Sequence, residues 1–212
     1  MNEIILENGK KIGGTNSPFI IAEIGNNHNG DIEIAKKLIE IASQIGVDAV
    51  KFQVKDIESS FSKELLEKPY NGPNSFGKTY REHKEFLEFN QDQLKNLYEY
   101  SRQKGIICFS TPFDVKSVEL LENLNNPIYK ISSFHVTDIP LIKRIIDTKK
   151  PVIMSTGMST IEEISKAYQL FTDTNNLILL QCTSSYPTND EDVNLKSIIT
   201  LREKFDVNVG YS

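Results

Sequence analysis

Seven short apolar runs in the chain each end in residues that can do chemistry. Glu23 ends the first. Lys51 and Gln53 end the second, Ser110-Thr111 the third and Lys130-Ile131-Ser132-Ser133 the fourth. The fifth closes in Ser155-Thr156-Gly157, the sixth in Cys182-Thr183-Ser184-Ser185-Tyr186 and the last in Tyr211-Ser212. Lysines and hydroxyls together are a donor set for phosphate or carboxylate oxygens, which take charge-assisted hydrogen bonds. Backbone N–H groups at the following helix starts would add to it. Glu23, the one acid, could orient a hydroxyl or water, or move a proton. Singly, each residue has a plain structural use. A strand-end lysine is ordinarily solvated or ion-paired, a serine or threonine there is ordinarily a helix cap, and Glu23 could simply pair with Lys51 or Lys130. Their joint occurrence at every strand end points to an anion-binding mouth.

The elements that must position them follow from periodicity. Residues 19–24, 49–52, 106–109, 128–131, 152–154, 177–182 and 207–210 are rich in Ile and Val and mostly non-alternating. Strands buried on both faces look like this. Between them lie amphipathic stretches at helical spacing, such as Ile34, Leu38, Ile41, Ala42 and Ile45, or Leu141, Ile142, Ile145 and Ile146. Asp31 and Thr160 stand where N-caps belong, and Gly46 and Gly105 just past helix ends. This alternation predicts an α/β fold with a parallel sheet and helices outside. A doubly wound sheet would typically carry a glycine-rich phosphate turn after its first strand. Here that turn reads Ile24-Gly25-Asn26-Asn27-His28-Asn29-Gly30. A (β/α)8 TIM-type barrel fits better, truncated after the seventh strand, with its active site at the C-terminal strand ends. Residues 1–17 are expected to form a hairpin about Asn8-Gly9, and residues 18–212 the incomplete barrel. The polar connection from Lys55 to Asn90, with Pro69, Gly72, Pro73 and Gly77, reads as a long loop over the active site.

A net charge of −5 argues against a nucleic-acid partner, since such binders are usually basic. It leaves room for an anionic substrate, because screening confines exposed charges to roughly 8 Å. No apolar run approaches the ~18 residues of a membrane span, and the N-terminus has no basic leader. A cytoplasmic protein with no membrane partner is expected. Cys108 and Cys182 lie inside apolar runs and read as reduced core cysteines. Without CxxC or HxxxH spacing a zinc site is not expected. His28 reads as a structural loop residue and His83 as solvated. His135 could be either.

Read in order, these strand ends form a string that resembles the sialic acid synthase family. The matching motifs are Ala22-Glu23-Ile24-Gly25-Asn26-Asn27-His28-Asn29-Gly30, Lys51-Phe52-Gln53, Ser110-Thr111-Pro112-Phe113-Asp114, Tyr129-Lys130-Ile131-Ser132-Ser133, Ser155-Thr156-Gly157-Met158 and Cys182-Thr183-Ser184-Ser185-Tyr186-Pro187. Residues 77–84 are similar to the family's lid. The resemblance implies an aldolase-type barrel that condenses phosphoenolpyruvate with an N-acetylated amino sugar, N-acetylmannosamine or a related one, giving a nonulosonic acid and phosphate. It implies Glu23, Lys51 and Lys130 as catalytic residues. Lys51 and Lys130, with Thr111, Ser133, Ser155 and Ser184, would bind phosphoenolpyruvate. Gln53 and Tyr186 would face the sugar, with Asn74 from the lid. It further implies a divalent metal, Mn or Mg, whose ligands are expected beyond Ser212 and not within this chain. A small C-terminal antifreeze-like domain and a homodimer at full length are also implied by the family, and that domain is expected to lie outside these 212 residues. The run Ser133-Phe134 is more reminiscent of the pseudaminic branch, whereas the lid and Tyr186-Pro187 lean toward sialic acid.

The residues themselves leave two other readings open. Lys51 or Lys130 could serve as the nucleophile of a Schiff-base aldolase. The barrel could also bind phosphorylated ligands without catalysing anything.

Overall fold

The computed structural model describes residues 3–171 and 176–212. In chain order the elements are β1 (Ile4–Ile5), β2 (Lys11–Ile12), β3 (Ile21–Gly25), α1 (Ile32–Gln44), β4 (Ala49–Val54), α2 (Ile57–Ser60), α3 (Lys63–Leu66) and α4 (Tyr80–Leu87). They continue with α5 (Gln91–Gln103), β5 (Ile107–Pro112), α6 (Val115–Asn123), β6 (Tyr129–Ile131), α7 (Ile139–Asp147), β7 (Val152–Ser155), α8 (Ile161–Tyr168), β8 (Leu177–Gln181), α9 (Ser197–Phe205) and β9 (Asn208–Tyr211). The chain divides into two compact units, residues 20–126 and residues 1–19 with 127–212.

In the unit of residues 20–126, β3, β4 and β5 pair in parallel, with Glu23 opposite Lys51 and Gln53 opposite Thr111. Side chains alternate across a strand, so Lys51 and Gln53 share one face. The intervening Val50, Phe52 and Val54 are buried on the other. A register shift between Glu23 and Gly25 interrupts the ladder before the last pair, Gly25 with Phe52, and Gly25 takes the left-handed φ of 52° that such a bulge needs. The helix α1 starts where Asp31 accepts from the backbone N–H groups of Glu33 and Ile34, and it buries Ala35, Ile39 and Ala42. Asn90 and Gln93 form a capping box at the start of α5. Strand β4 runs on to Val54 and β5 to Pro112, past the apolar runs, because the buried Thr111 and the half-buried Gln53 stay within the ladder.

The connection after β4 departs from the expected irregular loop. It holds α2, α3 and α4, capped by Asp56, Ser62 and Thr79, and an antiparallel bridge joins Pro69 to Thr79. Short capped turns like these carry too little apolar periodicity to announce themselves. His83 is buried rather than solvated. Its ring lies 4.5 Å from Tyr70 and 5.7 Å from Phe76, and its Nδ1 accepts from the Phe76 N–H at 3.3 Å.

In the other unit, β1 and β2 pair antiparallel across the Asn8-Gly9 turn, with Gly9 at φ 83°. Lys150 pairs with Glu7 of this hairpin. Strands β6, β7, β8 and β9 pair in parallel and in chain order. Four of the strand residues from β6 through β8 are Ile131, Ile153, Met154 and Leu179, each no more than 2% exposed, as strands covered on both faces require. The helix α7 takes Asp138 as its N-cap with a proline in its first turn, and α8 opens on a Thr160–Glu163 capping box. Cys108 is buried, but Cys182, at the end of β8, is half-buried and not a core residue. Among the described residues no helix is long and apolar enough to cross a membrane.

Candidate functional site

Two clusters of strand-end side chains gather buried lysines and hydroxyls, one in each unit. The first is built on β3, β4 and β5. The Lys51 side chain is buried, and its Nζ lies 2.7 Å from Glu23 Oε2 and donates to Thr111 Oγ1 at 2.6 Å. The register explains this, since Glu23 faces Lys51 across one strand pair and Thr111 is two residues beyond Lys51's partner Phe109 on the other. Burial pushes the Lys51 pKa down, and the Glu23 carboxylate works against that. Glu23 itself is half exposed, so its free carboxylate edge can reach a ligand or water. Ser110 does not join this cluster. Its hydroxyl pairs with Tyr98 and its N–H with Asn126 inside the core.

Gln53 stands beside the same cluster. Its carboxamide oxygen accepts from Lys55 Nζ at 3.1 Å, and Lys55 is in turn paired with Glu88 at 3.2 Å. Lys55 and Glu88 do not appear in the sequence reading. They lie 33 residues apart, and no periodicity links them. A Cβ added at Gly25 would stand 3.2 Å from Glu23 Oε1 and 3.5 Å from Gln53 Nε2. Glycine there keeps the space between the two side chains open. Asn74 is exposed on the connection before α4.

His28 packs behind β3 as a structural residue. It stacks on Phe89 at 4.2 Å, and its Nδ1 accepts from the Gly30 N–H at 3.0 Å. Burial pushes its pKa down to about 4, against the hydrogen bond to the Gly25 backbone and with the help of the Lys55 charge. The imidazole therefore stays neutral in the folded chain over most of the acid range. With a folded pKa below the ordinary 6.5, the unfolded chain takes up the proton first, so stability is full above 6.5 and is lost as pH falls through 4. We expect the His28 ring protons to titrate at about 4 by NMR; a midpoint near 6.5 would show that the ring is not held this way.

The second cluster is built on β6, β7 and the segments after them. Lys130 is buried and donates to Ser155 Oγ at 2.5 Å and to the Ile131 carbonyl at 2.9 Å. Lys130 lies opposite Ile153 in the ladder, so its side chain reaches forward to the end of β7. Two residues beyond Ser155, the Gly157 N–H donates to Ser133 Oγ at 3.0 Å. A Cβ on Gly157 would fall 2.6 Å from Ser184 Oγ and 3.0 Å from Ser133 Oγ. Ser133, Ser184 and the Gly157 backbone thus crowd one spot that only glycine leaves clear. Because Ser133 accepts through its oxygen, its hydroxyl hydrogen can turn outward as a donor. Neighbouring hydroxyls are spent locally: Thr156 on the Leu180 carbonyl, Thr183 on the Asp192 carbonyl and Ser132 on His135. His135 is buried by that contact and by the Phe134 ring at 4.0 Å. Tyr186 is 93% exposed and is not brought to the serines.

Both clusters are thus a buried lysine with hydroxyl partners, a form suited to holding anionic oxygens. Among the described residues no three His, Cys, Asp or Glu side chains stand together as a metal set would need.

Comparisons with known proteins agree with one another. The model of the NeuB family matches residues 38–212. The chain is 40% identical over 212 residues to the human N-acetylneuraminate-9-phosphate synthase, covering 99% of this chain and 59% of that protein. It is 38% identical to the pseudaminic acid synthase of Campylobacter jejuni, covering 92% of this chain and 57% of that protein. Near-equal identity to synthases of different sugars leaves the acceptor open. The crystal structure of N-acetylneuraminic acid synthetase from Leptospira borgpetersenii, a complex with citrate, superposes with a TM-score of 0.85 at 36% identity. It covers 99% of this chain, which spans 69% of that one. The fold is the TIM-type barrel, and the chain spans somewhat under three fifths of the length of the curated relatives quoted.

Proposed function

We propose, since the chain belongs to the NeuB family, that it serves the condensation of phosphoenolpyruvate with an N-acetylated amino sugar to a nonulosonic acid and phosphate. The buried Lys130 with its Ser155 partner, beside the Ser133–Gly157–Ser184 donors, is the observation that carries this reading. A buried cation with hydroxyl and backbone donors grouped around it is suited to an oxyanion that brings its own charge. In one unit Lys130, Ser133, Ser155 and Ser184 would bind phosphoenolpyruvate; in the other Lys51 and Thr111 would hold anionic oxygens and Gln53 would face the sugar. Tyr186 and Asn74 would reach it only by closure over a bound ligand.

In the reaction, C3 of phosphoenolpyruvate attacks the open-chain aldehyde carbon, and the aldehyde oxygen takes up a proton. Water adds to the oxocarbenium centre left at C2 and gives up its proton. The resulting tetrahedral carbon expels phosphate and becomes the ketone. The lysines stabilise the polyanion through these changes, and rigid strand ends hold the reacting atoms in line. Glu23, half exposed beside Lys51, would hold the attacking water or carry a proton. A divalent metal, when bound, would polarise the aldehyde. The described residues offer no ligand set for it, so no step above is assigned to one.

Calorimetry tests the reading. Phosphoenolpyruvate is expected to bind the chain, and inorganic phosphate to compete. Nonulosonate formation by this chain alone is expected to be negligible. Absence of any heat at millimolar phosphoenolpyruvate with a folded chain would overturn the binding role. A borohydride-stable adduct of pyruvate on Lys51 or Lys130 would favour a Schiff-base aldolase instead, for which the lowered Lys51 pKa is a chemical precedent.

A further inference from the structure

We propose that Lys55 is a positioning residue that fixes the Gln53 carboxamide as a one-way hydrogen-bond donor, so that the ligand group facing Gln53 must present an oxygen acceptor. The inference deepens the reading above, on which Gln53 faces the sugar.

A carboxamide can turn over and exchange its donor and acceptor ends at little cost unless a neighbour tells them apart. An ammonium does, because it has three donors and no acceptor. Lys55 Nζ stands 3.1 Å from the Gln53 side-chain oxygen, so Oε1 must face Lys55 and the NH2 group must face away. On that far side, Nε2 approaches the space kept open by Gly25, which Glu23 Oε1 also borders.

Lys55 is itself held rigidly. Its side chain is 5% exposed, its Nζ pairs with Glu88 Oε1, and its own backbone N–H donates to Glu88 Oε2 at 3.1 Å. The Nζ also lies 4.2 Å from the centre of the Phe113 ring, within cation–π range. Glu88 is nearly as buried, at 13% side-chain exposure. Burial pushes Lys55 down and Glu88 up, and each opposes the shift of the other. Such a pair contributes little net stability compared with apolar residues of the same size. Its effect is directional, as it anchors a cation where a glutamine needs one. Once the NH2 end is committed to the open side, a carbonyl or hydroxyl oxygen fits there, as in an N-acyl group or a sugar hydroxyl. A cation or a pure donor does not.

NMR of the 15N-labelled chain reads the orientation directly. Cross-peaks from the Gln53 Nε2 protons to the Gly25 α-protons are expected. Cross-peaks to the Lys55 side chain instead would overturn the proposal without any variant being made. In the charge-balanced pair Lys55→Met with Glu88→Gln, the backbone N–H of Lys55 keeps an acceptor and no buried charge is orphaned. There the two Gln53 side-chain protons are expected to lose their dispersion and broaden, and Lys55→Arg to keep it. An unchanged Gln53 signal in the double variant would equally overturn the proposal. Titration with N-acetylmannosamine separates this from the functional reading. If the sugar leaves the Gln53 signal of the unmodified chain unmoved, the sugar-facing role fails while the orientation stands. If the sugar does bind, the double variant should bind it about 3- to 10-fold more weakly, one hydrogen bond's worth.

Discussion

Replacing Lys130 by methionine is expected to abolish phosphoenolpyruvate binding and leave the fold as stable as before. Lys130 is 7% exposed and sits in β6 between Tyr129 and Ile131, both essentially covered. Its aliphatic stem already packs as an apolar residue would, and methionine keeps that volume. The ammonium costs desolvation energy that its contacts, among them the hydrogen bonds to Ser155 and the Ile131 carbonyl, only partly return. Stability by urea unfolding should therefore move by no more than about 1 kcal/mol in either direction. Binding should weaken by at least about 100-fold, because a phosphate oxygen placed there would lose a buried charge-assisted partner. Calorimetry and urea titration on one preparation separate the two effects. Full-strength binding by the variant would show that Lys130 does not touch the ligand. Large destabilisation would show that the lysine is there for the fold.

The strands and their ends were legible because apolar runs and Lys, Ser or Thr punctuation are local features. Lys51, Thr111, Lys130, Ser133, Ser155 and Ser184 lie at the strand ends the pattern marks, or in the turns just after them. Which hydroxyl of each run faces a ligand was less legible. Ser110 and Thr111 look equivalent in sequence, yet adjacent strand residues point to opposite faces, and Ser110 is committed to Tyr98 and Asn126 in the core. The Lys55–Glu88 pair was invisible because it closes across 33 residues, and a pairing of that span exists only once the fold does. His83 was misread for a related reason. Its neighbours in sequence are charged, but the bridge between Pro69 and Thr79 folds Tyr70 and Phe76 back over it. Tyr186 and Asn74 carry the opposite lesson. Motif resemblance names them, while the structure shows both as exposed side chains.

The pair Lys51 and Glu23 should respond asymmetrically to the loss of either member. Lys51 is 7% exposed in its side chain and Glu23 is 49% exposed. If Lys51→Met removes the cation, the Glu23 carboxylate turns to water and loses little. The fold is then expected to be unchanged or more stable by about 1 kcal/mol, since a buried charge has been replaced by an apolar side chain of similar volume. If Glu23→Gln removes the anion, Lys51 remains buried with Thr111 as its side-chain hydrogen-bond partner. That variant is expected to lose about 1–2 kcal/mol at pH 7, less than a fully buried pair would because water screens the exposed carboxylate. The pH dependence identifies the cause. Burial already holds the folded pKa of Lys51 below 10.5, and Glu23 is the main force opposing that shift. Without Glu23 the folded pKa falls further, and between it and 10.5 the unfolded chain binds the extra proton, so stability must rise with pH across that window. Glu23→Gln should therefore recover stability as pH is raised from 7 toward 10, whereas Lys51→Met and the double variant should show no such recovery. Both single variants are expected to lose phosphoenolpyruvate turnover in any longer form of the chain that supports it. Equal stability losses in the two single variants, with no dependence on pH, would mean that the buried lysine is neutral in the folded chain and that its contact with Glu23 is an ordinary hydrogen bond.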